Sequence, residues 1–151
     1  MLTIAPRNQV DLSKLGKHEV GPITVEIIDS VVDYLALLKE IFDFKAIKAY
    51  LQSHKDVKVL FDGLNGVTGP YGRAIFVEEL GLGDDSIQGC VPSPDFGGGH
   101  PDPNLTYAHD LVERVEREKI AFGAASDGDG DRNMSVFHTY LDASLGNQAN
   151  L

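Results

Sequence analysis

The chain has 151 residues, a formal net charge of −10 and a single cysteine, Cys90. Its length fits one ordinary domain, its strong negative charge argues against nucleic acid or an anionic membrane as a partner, and one cysteine excludes an intramolecular disulfide framework. The first ten residues are too few and too polar for a signal peptide, and no stretch is long and apolar enough to span a membrane. We therefore expect a cytoplasmic protein.

Hydrophobic periodicity divides the chain into alternating strands and helices. β-branched and apolar runs predict strands over residues 23–28, 57–62, 87–91 and 120–126. Apolar side chains at helical spacing predict helices over residues 31–42, 44–52, 71–80 and 105–119. Ser30, Asp43 and Asn104 are the expected N-terminal caps of three of these helices, because their side chains can accept a backbone N–H hydrogen bond.

This alternation is typical of an α/β fold, and we predict a three-layer α/β/α sandwich with a mostly parallel, mixed sheet. In such a domain the loops that follow the strands lie at one edge of the sheet, where ligands bind. We expect three loops to meet there, at residues 63–69, 92–104 and 127–133. The second of these is rich in proline and glycine.

The third loop contains the sequence DGDGDR, residues 127–132. Asp127, Asp129 and Asp131 alternate with glycine, so their side chains point the same way if the backbone is locally extended. The glycines allow the loop to wrap around a small ion. Carboxylates this close repel one another unless a cation lies between them. Because oxygen ligands suit a hard divalent cation, the pattern predicts a metal site.

Other interpretations compete with the metal site. An acidic, glycine-rich turn on the surface is the simplest alternative and stays open. A calcium-binding EF-hand needs glycine at loop position six and glutamate at position twelve, where this chain has Arg132 and His138. A nucleophilic Asp127 is sound chemistry, but the further catalytic groups would have to lie within the 20 residues after Asp131.

Two other features give weaker functional signals. His100, in the segment GGGHPDPN, either shapes the wall of a cleft or transfers a proton, and the turn-forming composition favours the structural role. The turn at residues 63–69 could hold a phosphate through backbone N–H groups. It lacks the lysine of a P-loop, so a plain connection between strand and helix is favoured.

Four segments together carry a resemblance to a known family. GAASDGDGDRNM, residues 123–134, resembles the metal-binding loop of the α-D-phosphohexomutases, and is most similar to the phosphoglucomutase branch. Three further segments resemble the second domain of that family in the same order and spacing: TVEIIDS at 24–30, DGLNGVTGPY at 62–71 and GGHPDPNLTYA at 98–108. The resemblance extends over residues 9–134, most of the chain.

The resemblance implies roles for the acidic loop. Asp127, Asp129 and Asp131 would be the protein ligands of Mg²⁺, and Arg132 would contact the phosphoryl group near the catalytic serine. The family reaction interconverts glucose 1-phosphate and glucose 6-phosphate. A phosphoserine donates its phosphoryl group, a bisphosphorylated sugar forms and turns over in the site, and the serine is rephosphorylated. A phosphosugar would be the substrate in the context of a full-length enzyme.

The chain lacks segments that the family carries in other domains. It contains no serine loop of the type TASHNP and no sugar-recognition loop of the type GEESFG, and the phosphate-binding domain is missing. We expect residues 1–134 to form the metal-binding domain and residues 135–151 to be a divergent tail. The chain alone is therefore expected to be inactive. The alternative is a non-catalytic domain that binds metal or a partner, or a nonfunctional truncated product.

Overall fold

The computed structural model describes residues 10–138. The strands are β1 (Gly16–Val20), β2 (Ile23–Ile27), β3 (Val59–Asp62), β4 (Ile87–Gln88), β5 (Phe122–Ser126) and β6 (Asn133–Val136). The α-helices are α1 (Ser30–Ile41), α2 (Phe44–Ser53), α3 (Gly69–Gly72) and α4 (His109–Glu118). A π-helix (Arg73–Glu79) continues α3, and two short 3₁₀ turns are formed by Asp84–Ser86 and Phe96–Gly98.

Four strands form the main sheet in the order β4-β3-β5-β6. β3 is parallel to β4 and β5, and β6 is antiparallel to β5. Leu60 and Phe61 of β3 point to opposite faces, because side chains alternate along a strand. Leu60 packs with Leu111 and Val115 of α4, whereas Phe61 stacks on Phe76 of the π-helix. Helices therefore cover both faces, which confirms the predicted α/β/α sandwich and its mostly parallel, mixed sheet.

The core lies between the sheet and α4. Its buried side chains are apolar and come from β3, β5, α4 and the residues that flank this helix: Leu60, Ala108, Leu111, Val115, Ile120 and Ala125. Leu111 and Val115 are one helical turn apart, so α4 turns one apolar stripe towards the sheet. Burial of each such side chain contributes about 1.5–3 kcal/mol. This packing fixes β5, and with it the start of the acidic loop.

The first predicted strand is confirmed, but it lies outside the main sheet. β2 pairs with β1 as an antiparallel hairpin, with Gly16 opposite Ile27 and Val20 opposite Ile23. The main sheet therefore lacks this strand, which the prediction had included in it. A two-residue connection joins the two strands, and its first residue, Gly21, takes a φ of +62°. Connections of this length are the commonest ones in β-hairpins.

The caps of the first two helices fall close to their predicted positions. Asp29 caps α1, accepting the backbone N–H of Val31 at 3.0 Å, and Ser30 is the first helical residue rather than the cap. Asp43 is confirmed as the cap of α2 and accepts the N–H of Ala46 at 2.9 Å. Both carboxylates also place negative charge at the positive end of a helix dipole.

The helix predicted over residues 105–119 begins four residues later, at His109. Asn104 does accept backbone N–H groups, from Thr106 at 2.9 Å and Tyr107 at 3.0 Å. These bonds close a separate turn ahead of α4. The capping chemistry of Asn104 was therefore predicted correctly, and the element that it caps was not.

Two other elements differ in shape from their predictions. The helix predicted over residues 71–80 is π-helical in its second part, where Leu80 N–H binds the carbonyl of Ile75 five residues back. The strand predicted over residues 87–91 ends after two residues, since Gly89 takes a φ of +57° and turns the chain.

β6 has no counterpart among the predicted elements. Its four residues, NMSV, alternate between polar and apolar and follow the acidic loop directly. The strand was missed because residues from 135 onwards were assigned to a divergent tail. The predicted domain boundary at residue 134 lies within β6. Most of the predicted tail lies outside the described residues, and this division of the chain stays a prediction.

The described helices are short. The longest, α1, has 12 residues, whereas a helix needs about 20 apolar residues to span a bilayer. Within residues 10–138, no helix has the length and apolar character to cross a membrane.

Candidate metal site

The loops that follow β3, β4 and β5 meet at the carboxyl edge of the sheet, as predicted. Backbone hydrogen bonds join them: Val67 N–H binds Gly128 O at 3.0 Å, Ser93 N–H binds Asn65 O at 2.9 Å, and Gly128 N–H binds Pro101 O at 3.2 Å. Together the three loops line a cleft of about 720 Å³. The acidic loop is thus one wall of a cleft that the other two loops complete.

Two glycines allow these loops to approach so closely. A Cβ atom on Gly66 would lie 2.7 Å from the carbonyl oxygen of Gly128. A Cβ atom on Gly128 would lie 3.0 Å from a ring carbon of Phe96 and 3.1 Å from Pro101 Cγ. Gly130 serves another purpose, since its φ of +87° lies in the region that favours glycine. The glycines between the aspartates therefore set both loop packing and loop shape.

The turn at residues 63–69 connects β3 to α3 and leaves few donors for a phosphate. The backbone N–H groups of six of its residues bind acceptors within the protein: Gly63, Leu64, Asn65, Gly66, Val67 and Gly69. This pattern supports the plain connection and argues against a phosphate cradle. Leu64 and Asn65 also take positive φ angles of 45° and 55°, a strained conformation for leucine.

Asp127 anchors the acidic loop. Its side chain is fully buried, and Oδ1 accepts the backbone N–H groups of Gly130 at 2.9 Å and Arg132 at 3.0 Å. Its own N–H binds the carbonyl of Arg132 at 3.1 Å, which closes the loop between β5 and β6. Burial alone would raise the pKa of Asp127, but the hydrogen bonds from Arg132 hold this pKa well below its usual range. Asp127 is therefore ionised at neutral pH.

Asp129 and Asp131 are exposed and lie beside Asp127. Each of the three residues offers one carboxylate oxygen, and these oxygens lie within 4.8 Å of one another. The carboxylate of Asp127, to which a protonated Asp131 can donate, and the negative charge of Asp129 raise the pKa of Asp131. The structure thus brings the three predicted ligands together, and their assignment as metal ligands stays a prediction.

The donor chemistry of this group fits a hard divalent cation. Carboxylate oxygens suit Mg²⁺, Ca²⁺ and Mn²⁺, whereas zinc and copper sites are usually built with histidine or cysteine. The group contains carboxylates alone. Mg²⁺ usually binds few protein ligands and completes its shell with water and phosphate oxygens, so three aspartates at the rim of an open cleft are a suitable set.

Arg132 links the acidic loop to the loop that follows β4. Its Nε donates to Asp127 Oδ2 at 2.9 Å, and its Nη1 donates to Asp102 Oδ1 at 3.0 Å. The hydrogen bond with Asp127 and the charge of Asp102 raise the pKa of Arg132, so the guanidinium stays charged. The side chain is 60% exposed and lines the cleft. A charged guanidinium placed this way can contact a phosphoryl group, and that role stays a prediction.

Asp102 is a residue of the site that the sequence did not reveal. It lies between Pro101 and Pro103, and its carboxylate reaches Arg132 across 30 positions of the chain. The one local signal is a carboxylate held between two prolines, which fix the backbone, in a loop expected at this edge. That signal indicates a rigid acidic group and does not identify its partner.

A second buried carboxylate, Asp62, ends β3. Its Oδ1 accepts the N–H of Leu64 at 2.9 Å, and its Oδ2 accepts Gln88 Nε2 at 2.7 Å. Gln88 Oε1 in turn accepts Arg114 Nη1 at 3.1 Å. Burial raises the pKa of Asp62. This network joins β3, β4 and α4.

His100 lies apart from the acidic group. Its ring packs on Tyr107 with ring centroids 4.1 Å apart, and both side chains line a separate cleft of about 400 Å³. Its carbonyl accepts the N–H of Asp102 at 2.9 Å. These contacts agree with the structural role favoured for His100.

Comparison with known proteins adds to this geometry. A family model described as "Phosphoglucomutase/phosphomannomutase, alpha/beta/alpha domain II" matches residues 32–139. A phosphoglucomutase of Aspergillus fumigatus is 66% identical over 131 residues, which cover 87% of this chain and 24% of the relative. Phosphoglucomutase-1 of Oryctolagus cuniculus is 51% identical over 137 residues, which cover 87% of this chain and 24% of that relative.

A solved structure is also similar. It is the open form of the Paramecium phosphoprotein pp63/parafusin, a phosphoglucomutase, with a TM-score of 0.72 and 50% sequence identity. The similarity covers 77% of this chain and 21% of that one. The chain thus spans about a quarter of the length of the curated relatives that it matches.

Proposed function

Because the chain belongs to the phosphoglucomutase/phosphomannomutase family through its α/β/α domain II, we propose that it provides the Mg²⁺ site of a phosphoglucomutase. The reaction is the interconversion of glucose 1-phosphate and glucose 6-phosphate. The observation that carries this proposal is the group of three carboxylate oxygens within 4.8 Å of one another, next to a charged arginine at the rim of a cleft. Identities of 51–66% to phosphoglucomutases support it.

Each residue of the acidic loop has a role in this proposal. Asp127, Asp129 and Asp131 hold the ion, and Asp127 enters the site already ionised and fixed by backbone N–H groups. Bound there, Mg²⁺ supplies positive charge that stabilises a phosphoryl group during its transfer. Arg132 donates N–H groups to oxygens of the same phosphoryl group, for which its planar guanidinium is suited.

The chain does not contain every group that this reaction needs. Its sequence has no serine loop of the TASHNP type, so the phosphoserine has to come from outside these 151 residues. We expect the purified chain alone to give no turnover above background in a coupled assay for glucose 6-phosphate. Turnover by the chain alone would contradict this division of roles.

Metal binding is tested first, by titration calorimetry with Mg²⁺ and Mn²⁺. Asp129→Asn removes one charged oxygen from an exposed side chain and leaves the anchor Asp127 in place. We expect the affinity to fall by at least about tenfold, the effect that even an outer-shell partner has on a metal site. Asp110→Asn, the same charge change on an exposed residue of α4, is the matched control. Equal affinities for the native chain and Asp129→Asn would exclude the site.

The enzymatic role is tested in a chimera. The matching segment of the Aspergillus fumigatus phosphoglucomutase, 66% identical, is replaced by residues 10–138 of this chain. We expect the chimera to convert glucose 1-phosphate, and Asp129→Asn within it to be inactive or nearly so. A folded chimera that binds metal and shows no activity would contradict the enzymatic role and leave metal binding intact.

We further propose a cytoplasmic location and a phosphosugar as the ligand of the assembled enzyme. The net charge of −10 supports the absence of nucleic acid and anionic membrane among its partners. Salt-dependent retention on heparin would contradict that exclusion.

A further inference from the structure

We propose that Asp102 is a positioning residue that orients the guanidinium of Arg132 towards the cleft. What Arg132 contacts there rests on the proposed function, whereas the orientation itself rests on geometry alone. The starting observation is that this guanidinium donates two hydrogen bonds to carboxylates on different loops. Asp127 binds Nε and Asp102 binds Nη1, at 2.9 and 3.0 Å.

Hydrogen bonds to two loops restrict the rotation of a guanidinium more than contacts to a single loop do. Without Asp102, the guanidinium would keep contacts at Nε alone: the hydrogen bond with Asp127 and an ion pair with Asp131 Oδ1 at 3.7 Å. It could still swing about Nε, because most of the side chain is exposed. Asp102 approaches from a different loop and binds a different nitrogen. The plane of the guanidinium is then defined by two anchors that lie on separate parts of the backbone.

Asp102 is itself held firmly in place. Its backbone N–H binds the carbonyl of His100, and its carbonyl accepts the N–H of Asn104, both at 2.9 Å. Pro101 accepts the N–H of Gly128 at 3.2 Å, which ties this segment to the acidic loop. Flanking prolines fix the backbone further. Because Asp102 is held in this way, the loop after β4 fixes the position of the Arg132 side chain, which belongs to the acidic loop.

The contacts of the Asp102 carboxylate argue against a role in loop structure alone. Among residues 10–138 its one side-chain hydrogen bond is the bond to Arg132. The bonds that shape the loop around Asp102 use backbone atoms. A substitution of the side chain therefore alters the support of Arg132 and leaves those backbone bonds available.

The N–H groups of Arg132 that make no hydrogen bond within the described residues are the ones that Asp102 positions for a ligand. A guanidinium has five N–H groups, and the two bonds use one on Nε and one on Nη1. Nη2 makes no hydrogen bond within the described part of the chain, and the side chain lines the cleft. Neighbouring N–H groups on Nη1 and Nη2 form the edge that binds an oxyanion with two parallel hydrogen bonds.

The experiment measures the mobility of this side chain by NMR in the ¹⁵N-labelled 151-residue protein. The readout is the rate of rotation of the Arg132 guanidinium, with its Nε signal assigned by its loss in Arg132→Lys. In Asp102→Asn we expect rotation to be about fivefold faster, which corresponds to a partly exposed ion pair of ordinary strength. Asp102→Glu keeps the charge and can still reach Nη1, so we expect it to restore slow rotation.

Asp110→Asn again provides the control, because it removes one negative charge at the second cleft, the one lined by His100, and Asp110 makes no contact with Arg132. Amide signals of β5 show whether each variant keeps its fold. An unchanged rotation rate in a folded Asp102→Asn protein would overturn the proposal. So would equal acceleration in Asp110→Asn, because net charge would then explain the effect.

The chimera separates this inference from the proposed function. If the chimera is active, we expect Asp102→Asn to lower kcat more than it changes KM, and Asp102→Glu to recover part of the loss. An active chimera whose kcat does not respond to Asp102→Asn would overturn the positioning role in catalysis. An inactive chimera would contradict the enzymatic role, and the NMR result would still decide whether Asp102 orients Arg132.

Discussion

Within the acidic loop, neighbouring carboxylates have opposite electrostatic properties. Asp127 is buried, receives backbone and guanidinium hydrogen bonds, and has a lowered pKa. Asp131 is exposed, lies against two other carboxylates and has a raised pKa. The loop therefore holds one anchor that is ionised at neutral pH and at least one carboxylate whose charge opposes the folded, metal-free state. Binding sites often keep such unfavourable charge because a ligand relieves it.

The first prediction concerns Asp131→Asn. Because the folded pKa of Asp131 lies above that of an unfolded aspartate, about 3.9, its protonation stabilises the fold. This contribution is fully present below about pH 3.9 and is lost as the pH rises through the folded pKa. Asparagine stays uncharged at every pH. We therefore expect the metal-free variant to unfold at a higher temperature than the native chain at pH 7, with the difference shrinking towards pH 4.

The measurement is thermal unfolding followed by circular dichroism, with a chelator present. The same variant should bind Mg²⁺ more weakly by at least about tenfold. A variant that is less stable than the native chain at pH 7 would show that repulsion at Asp131 does not limit the metal-free fold.

The second prediction concerns the network of Asp62, Gln88 and Arg114. Burial raises the pKa of Asp62, yet both of its oxygens accept hydrogen bonds. Asp62→Asn turns an NH₂ group towards the Gln88 NH₂ group, and Gln88 cannot flip without losing its bond to Arg114. We expect a loss of about 1–3 kcal/mol in the free energy of unfolding.

A compensating substitution makes this prediction specific. In the double variant Asp62→Asn/Gln88→Glu, the introduced carboxylate accepts from both the introduced amide and Arg114, so most of the loss should be recovered. Gln88→Glu alone places two carboxylates together and should destabilise the protein. Urea unfolding of the native chain, both single variants and the double variant measures the coupling. Additive effects would rule out the proposed hydrogen-bond directions.

At the scale of the secondary-structure elements, the parallel strands β3 and β5 position the candidate metal site. The loops that follow these two strands are in direct backbone contact. β3 and β5 are adjacent and end side by side, with Asp62 paired to Ala125. Their loops can touch only because Gly66 and Gly128 lack a Cβ atom. The separation of the aspartates from the facing loop is therefore set by backbone contact and not by the packing of side chains.

The third prediction follows from this contact. Gly66→Ala would place a methyl group 2.7 Å from Gly128 O and force the two loops apart. We expect a loss of about 1–3 kcal/mol in stability, together with weaker Mg²⁺ binding. Gly99→Ala is the control, since a Cβ atom there meets only Phe96 O, at 3.3 Å, and its φ of −90° suits any residue. Urea unfolding and calorimetry test both variants, and equal effects would contradict this account.

Elements that depend on local patterns were predictable from the sequence, and contacts between distant segments were not. The acidic loop, the strands β3 and β5 and the cap at Asp43 each have a local signature, and the meeting of three loops followed from parallel topology. The pairing of β1 with β2 has no signature in hydrophobic periodicity, which predicts a strand without its partner. The bond between Asp102 and Arg132 joins residues 30 positions apart, and only the fold brings them together.

Over the molecule as a whole, the core is small and the first two helices contribute little to it. Neither α1 nor α2 has a buried residue, whereas α4 has two. Several large apolar side chains on α1 and α2 are exposed, among them Val32, Leu37, Ile41 and Tyr50. Apolar surface of this extent favours self-association of a purified protein. Stability therefore depends mainly on the sheet and α4.

The fourth prediction tests whether the exposed face of α1 contributes to stability. Ile41 is 61% exposed, so Ile41→Lys should change the free energy of unfolding by no more than about 0.5 kcal/mol and should reduce light scattering at high protein concentration. Leu38, on the same helix, is partly buried, and Leu38→Lys should destabilise the chain by about 1 kcal/mol or more. A large loss of stability in Ile41→Lys would show that the exposed face of α1 contributes to the fold.

The antiparallel strand β6 has a consequence for the variability of the acidic loop. Ser126 pairs with Asn133, so a single hairpin connection, residues 127–132, holds all three aspartates and Arg132. Inserting or deleting one residue would shift β6 by one position and turn Met134 and Val136, which pack against the core, to the opposite face. Substitutions can change the chemistry of this loop, but the pairing of β6 with β5 restricts changes in its length. A substitution at Asp129 or Asp131 can therefore change the ion that this loop binds without disturbing the sheet, whereas a change of one residue in loop length would disturb both.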